Sequence, residues 1–129
     1  MSALYPAESN HFDGVDSLRQ SNVRFVAAWL GDRMVGCGAV KRLPGPPAYG
    51  EIKRLFVAED CRGCGVSRQI MAVLEQTLSD AGIGLARLET GIHQPEAIGL
   101  YRALGYRDRP PFGDYLPDPL SLFMEKRLG

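Results

Sequence analysis

Apolar and polar positions change rhythm along the chain, and each rhythm predicts an element. Val23 to Leu30 (Val-Arg-Phe-Val-Ala-Ala-Trp-Leu) is rich in β-branched and aromatic side chains, and Met34 to Val40 is a second apolar run; both predict strands. Between them Gly31-Asp32 offers a Gly-X pair suited to a tight hairpin turn, because glycine takes positive φ without a steric penalty. Pro44-Gly45-Pro46-Pro47 cannot continue a ladder and predicts a loop, after which Tyr49 to Val57 predicts a third strand antiparallel to its neighbour. Beyond Val57 the period lengthens. Val66, Ile70, Val73, Leu74, Thr77, Leu78 and Ala81 recur at spacings of three and four, the apolar face of a helix with Gly82 at its C-terminal end. Leu85 to Thr90 predicts a short strand. Pro95 suits the first turn of a second helix, with Ala97, Leu100, Tyr101 and Leu104 on one face and Gly105 just beyond it. Ser121 to Glu125 predicts a last strand, after a proline-rich loop from Pro110 to Pro119. Residues 1–22 hold only a hint of a short helix around Asp16-Ser17-Leu18-Arg19. The order β-β-β-α-β-α-β predicts an α/β fold, a mixed twisted sheet that starts antiparallel and is flanked by helices.

Composition narrows the classes. A chain of 129 residues, 45% of them hydrophobic, can bury one core and is too short for two, so a single domain over 1–129 is expected. Fifteen basic residues balance fifteen acidic ones, which removes the general attraction to nucleic acid or an anionic membrane. No apolar run is long enough for a membrane-crossing helix, and the first residues lack the basic-then-apolar pattern of a secretion signal. A cytoplasmic protein is expected. Cys37, Cys61 and Cys64 make an odd set that suits a reducing compartment. Cys61 and Cys64 form C-x-x-C, but a zinc site needs four ligands and His11 and His93 are far apart in sequence, so no metal is expected and the two thiols read as incidental.

The chemistry-bearing stretch is Arg62-Gly63-Cys64-Gly65-Val66-Ser67-Arg68, between a strand and an amphipathic helix. Glycines there let a ligand approach the backbone, and the helix adds its unpaired amides and the positive end of its dipole. A phosphate or diphosphate is the natural guest, with Arg62 and Arg68 as charged donors. Ordinary turn chemistry explains two glycines before a helix equally well. The stretch is neither a P-loop nor the dinucleotide G-x-G-x-x-G, since Arg68 stands at the third glycine.

A second segment follows one strand later: Gln94-Pro95-Glu96-Ala97-Ile98-Gly99-Leu100-Tyr101-Arg102-Ala103-Leu104-Gly105-Tyr106. Together the two resemble the GCN5-related N-acetyltransferase (GNAT) superfamily, whose loop reads [QR]-x-x-G-x-[GA] and whose later helix reads N-x-x-A-x-x-L-Y-x-x-x-G-[FY]. The loop matches at Arg62 and Gly65, the helix at Ala97, Leu100, Tyr101, Gly105 and Tyr106, and the likeness covers roughly residues 23–127. Ser67 departs from the small residue of the loop, and Gln94 stands in place of Asn with the same donors and acceptor. The superfamily also places a strand and two helices before the hairpin, whereas only 22 residues precede Val23, so an N-terminally shortened acyl-CoA N-acyltransferase fold is expected.

The resemblance implies acetyl-CoA as co-substrate and direct attack by an amine while both substrates are bound. It implies cofactor contacts from the backbone near Leu55, Phe56 and Val57, from Arg62, Gly63, Cys64, Gly65, Val66, Ser67 and Arg68, and from Gln94 and Tyr101. Tyr101 matches the general acid that meets the departing thiolate; by periodicity alone it would be a core aromatic. Glu51 matches by position the general base of the histone acetyltransferase branch, with Glu89 as the second candidate; a solvated strand residue paired with Lys53 is the equal alternative. His93 reads as a polar loop residue. Asp114, Tyr115 and Asp118 either hold a cationic acceptor or belong to a proline-stiffened surface loop. The expected acceptor is a small-molecule primary amine, with a protein amino group next; a shortened, non-catalytic CoA-binding or interaction module is the rival. Dimers are common in the superfamily, and the sequence leaves the subunit number open.

Overall fold

The computed structural model of the chain describes residues 7–8 and 22–129. Ala7–Glu8 (β1) pairs antiparallel with Val23–Leu30 (β2), which forms a hairpin with Arg33–Leu43 (β3) through Gly31 at φ 60°. Tyr49–Val57 (β4) runs antiparallel to β3, as its pattern predicted. A 3-10 turn at Glu59–Cys61 leads into the helix Val66–Asp80 (α1). Leu85–Gly91 (β5), the helix Pro95–Ala103 (α2), Arg107–Arg109 (β6) and Ser121–Arg127 (β7) complete the order. The sheet runs β1-β2-β3-β4-β5-β7-β6, and only β4 and β5 pair in parallel.

Two strands were not visible in the sequence. β1 stands ahead of the hairpin, so the strand that a shortened fold would lack is present; the short helix suggested around Asp16 to Arg19 lies outside the described residues. β6 is Arg-Asp-Arg and carries no apolar signal; its pairing with β7 makes it a strand. β3, β5 and β7 run one to three residues beyond their apolar runs, because ladder bonds extend past the buried part of a strand.

α1 covers one face of the sheet. Val66, Ile70, Met71, Leu74 and Leu78 are buried in it, against Val26, Val35, Val40, Ile52, Ala86, Leu88 and Met124. Burying each large aliphatic side chain contributes about 1.5–3 kcal/mol. Met71 joins this face although the periodicity passed over it, while Ala81 lies past the helix end and is exposed. The contact is close because glycines pave the sheet beneath. A Cβ on Gly50 would lie 2.2 Å from Leu78 Cδ2. The opposite face carries the aromatic cluster of Tyr49, Phe112 and Phe123 and, further along, Phe25, Ala27, Cys37 and Ala39.

What positions the site is an irregularity in β4. Cys37 pairs with Phe56 while Ala39 pairs with Lys53, so Arg54 and Leu55 oppose Gly38 alone. Arg54 takes φ 56°, the one positive φ outside glycine among the described residues. Such a bulge bends its strand and sharpens the local twist. β4 pairs with β5 only from Gly50–Ala86 to Ile52–Leu88, after which β4 continues along β3 and β5 along β7. The two strands part.

Candidate active site

The parting strands open a cleft of about 460 Å³, lined from β4 by Glu51 to Leu55, from β5 by Glu89, Thr90 and Gly91, and closed by Gln94, Tyr101 and Tyr115. Past Ile52 no β5 residue pairs with β4, so the β4 amides on that edge have no ladder partner there. Gly50 and Ile52 face α1, so strand alternation puts Glu51 and Lys53 on the other face with Tyr49. The same alternation puts Arg87 and Glu89 beside them, because Ala86 and Leu88 are core residues.

Glu51 is 6% exposed, and the Tyr115 hydroxyl donates to its Oε2 at 2.6 Å. Tyr115, not Lys53, is its partner. The tyrosine ring is held edge-on against Phe112 and Phe123, each with centroids 5.3 Å away. Burial first, then the hydrogen bond and charge of Glu51, push the Tyr115 hydroxyl well above the usual tyrosine range, so it stays a donor. Glu89 accepts a 2.7 Å hydrogen bond from Ser121 Oγ. Asp114 and Asp118 do not line the cleft; Asp118 instead accepts from the Leu120 amide and closes its own loop.

Tyr101 is 7% exposed and sits on α2 with Tyr106 edge-on at 5.9 Å. It belongs both to the main core cluster and to the cleft lining. Burial raises its pKa and keeps the phenol protonated. Behind it, Tyr106 donates to Glu75 at 2.8 Å, and Lys126 pairs with the other oxygen of the same carboxylate at 2.8 Å. That network fixes the far end of α2 against α1 and β7. Gln94 caps α2 through its backbone, its carbonyl accepting from the Ile98 amide, which leaves its side chain at the cleft.

The glycine-rich stretch follows the bend at the end of β4. Gly63 and Gly65 have φ 84° and 82°, and a Cβ on either would meet nothing within 4 Å. Backbone conformation requires these glycines, and the space before them is open. Gly65 is the N-cap of α1; no side chain caps the helix and no acidic residue lies in its first turn. The first backbone bond of the helix runs from Gln69 to Gly65, so the amides of Val66, Ser67 and Arg68 donate to no backbone acceptor among the described residues. Arg62, Cys64 and Arg68 are exposed around them, while Val66 turns into the core. A Cβ on Gly36 would touch both Phe56 O and Val66 Cγ1 at 2.9 Å, which places this cradle against the far end of β4. Together these donors could hold a phosphate group. Leu55 and Val57 pack toward the α1 core, whereas the Phe56 side chain is 51% exposed.

Cys37, Cys61 and Cys64 are free thiols, and no group of three or more His, Cys, Asp or Glu among the described residues could hold a metal ion. His93 is exposed and outside the cleft. No helix among the described residues is long and apolar enough to cross a membrane. Arg54 and Thr90 line the cleft without having been singled out in the sequence, and so does Lys53, which the sequence marks only as a partner for Glu51; nothing local marks the bulge at Arg54.

Comparison with known proteins bears on this geometry. The model of the acetyltransferase (GNAT) family matches residues 3–106. An IAA acetyltransferase of Azospirillum brasilense is 46% identical over 125 residues, covering 97% of this chain and 81% of that protein. An uncharacterised N-acetyltransferase of Bacillus subtilis is 36% identical over 131 residues, covering 99% of this chain and 85% of that protein. A solved Klebsiella pneumoniae structure, assigned as an acyl-CoA N-acyltransferase, superposes with a TM-score of 0.87 at 33% identity over 98% of each chain. A Bacillus subtilis acetyltransferase in complex with CoA shares the fold at TM-score 0.79 and 16% identity, covering 98% of this chain and 99% of that one.

Proposed function

The chain belongs to the GNAT family of acetyltransferases, and on that premise we propose that it moves an acetyl group from acetyl-CoA to a primary amine of a small molecule. The observation that carries the proposal is the cleft itself: the opening between β4 and β5 brings buried Glu51 and Tyr101 to one cavity, with the phosphate cradle at the end of the same strand. Acetyl-CoA supplies an activated acetyl group as a thioester; Val66, Ser67, Arg68 and the Arg62 and Arg68 side chains hold its phosphates, and unpaired β4 amides near Leu55, Phe56 and Val57 hold its arm.

An aliphatic amine must lose a proton before it attacks. With a pKa of ~10.4, about one amine in a thousand is neutral at pH 7.4, a penalty of roughly 4 kcal/mol. Glu51 removes that proton. Its Oε2 is engaged by Tyr115, which leaves Oε1 for the amine. A β4 amide donates to the oxygen on which negative charge develops, an interaction worth several kcal/mol in a dry site. Tyr101 donates a hydrogen bond to the leaving sulfur. Moving a proton from a phenol of pKa ~10 to a thiolate of pKa ~8.5 is uphill by roughly 2 kcal/mol, and burial of Tyr101 steepens that slope. Its role is therefore to stabilise the thiolate, with proton transfer lagging behind.

Calorimetric titration with acetyl-CoA, joined to a thiol-release assay over a panel of amines, tests this. Binding with amine-dependent release is the expected result. Binding without turnover of any amine would reduce the chain to a CoA-binding module.

A further inference from the structure

Both signs of charge line the cleft. Glu51 on β4 and Glu89 on β5 each already accept a hydroxyl hydrogen bond, from Tyr115 and Ser121. Lys53 and Arg54 follow on β4, and neither side chain forms an ion pair or hydrogen bond among the described residues. Elsewhere Arg33, Arg87, Arg102, Arg109 and Lys126 all have carboxylate partners. Arg54 is, besides, held in a left-handed backbone conformation at the bulge, which costs a non-glycine residue roughly 1–2 kcal/mol. Strain of this kind persists where the surroundings enforce it, and it gathers at functional sites. Lys53 lies two residues from Glu51 on the same sheet face, a separation of about 6–7 Å along the strand. That is within reach of one small molecule through the two long side chains.

Resting on the acetyltransferase reading above, we propose that the acceptor is zwitterionic: an amine-bearing carboxylic acid whose ammonium group goes to Glu51 and whose carboxylate is held by Lys53 and Arg54. A plain alkylamine would leave the Lys53 and Arg54 side chains without a direct partner among the described residues. An anionic acceptor group supplies one, and Arg54 offers the planar fork that suits a carboxylate.

The test compares free amino acids with their methyl esters and their decarboxylated amines, at saturating acetyl-CoA. The expected result is a kcat/KM at least tenfold higher for the free acids, matched by tighter calorimetric binding of the acid than of its ester to the CoA-bound protein. Lys53→Met and Arg54→Gln should each remove most of that preference while the acetyl-CoA dissociation constant stays the same. Both positions are partly or fully exposed, and a melting curve checks that the variants fold. Esters or decarboxylated amines that serve equally well would overturn the proposal and leave the acetyltransferase reading standing. Weaker acetyl-CoA binding in the variants, with the acid preference intact, would assign the two cations to the cofactor instead and overturn it too. Acetyl-CoA binding with no amine turned over, and no acid bound better than its ester, would sink both readings.

Discussion

At the scale of single residues, two tyrosines that look alike in composition do different things because of what each hydroxyl meets. Tyr101 presents its hydroxyl to the cleft with no partner among the described residues, whereas Tyr115 spends its own on Glu51. Tyr101→Phe should lower kcat by about 10- to 100-fold with acetyl-CoA affinity nearly unchanged; unaltered turnover would remove it from the mechanism. Tyr115→Phe should affect kcat less, and should do so by loosening Glu51, a buried carboxylate that would lose its Tyr115 donor. Glu51→Gln carries a sharper signature. Each unit of pH below ~10 cuts the neutral amine tenfold, so a variant without its base should recover relative to wild type as pH rises toward that value. A deficit that stays constant from pH 7 to 10 would show that Glu51 does not take the proton.

At the scale of elements, glycine positions divide into those required by the helix above and those required by backbone conformation. Gly50→Ala would drive a methyl group to 2.2 Å from Leu78 Cδ2, so the variant should lose about 1–3 kcal/mol of stability. Adding Leu78→Val should restore part of it, because the clash is with the end of that side chain; a denaturant titration of the single and double variants checks the coupling. Gly65→Ala meets no neighbour, and its penalty is the positive φ, roughly 1–2 kcal/mol. Its larger effect should be on acetyl-CoA, with the dissociation constant rising at least tenfold because the methyl group stands before the free amides of α1. The first strand and β6 also belong to this scale. Two residues at β1 and three charged ones at β6 are too short to show a period, and only their partners β2 and β7 define them.

At the scale of the whole molecule, the far edge of the sheet is tied by Glu125, which accepts from Arg87 at 3.0 Å and from Arg109 at 2.6 Å. Arg87 also lies over the Tyr49 ring, 4.5 Å from its centroid. Burial works to raise the Glu125 pKa, but the two arginines together outweigh it and the carboxyl ends below its ordinary value. A depressed folded pKa stabilises the protein above the unfolded value near ~4.5 and is lost as pH falls through the folded one. The melting temperature should therefore drop in acid below about pH 4.5, and the gap between wild type and Glu125→Gln should be widest near neutrality and close as the pH falls. A gap independent of pH would show that the loss is one of packing.

By itself the sequence determined the local elements and the family. Apolar periods give β2, β4 and both helices nearly residue for residue, and Arg62, Gly65, Tyr101 and Gly105 carry the family resemblance, because such signals depend only on neighbours within a few positions along the chain. Glu51 was a candidate from its place on the third strand, but its burial and its bond to Tyr115, 64 positions away, were not readable. Only the folded chain decided where the strands part and what lines the gap. The bulge at Arg54 arises from how β4 meets β3, and the cleft from β5 following β7, so Lys53, Arg54, Thr90 and Tyr115 come together through pairings that no local pattern records. Periodicity tells each strand which side to bury, and register, settled by long-range packing, tells it which residues it will face.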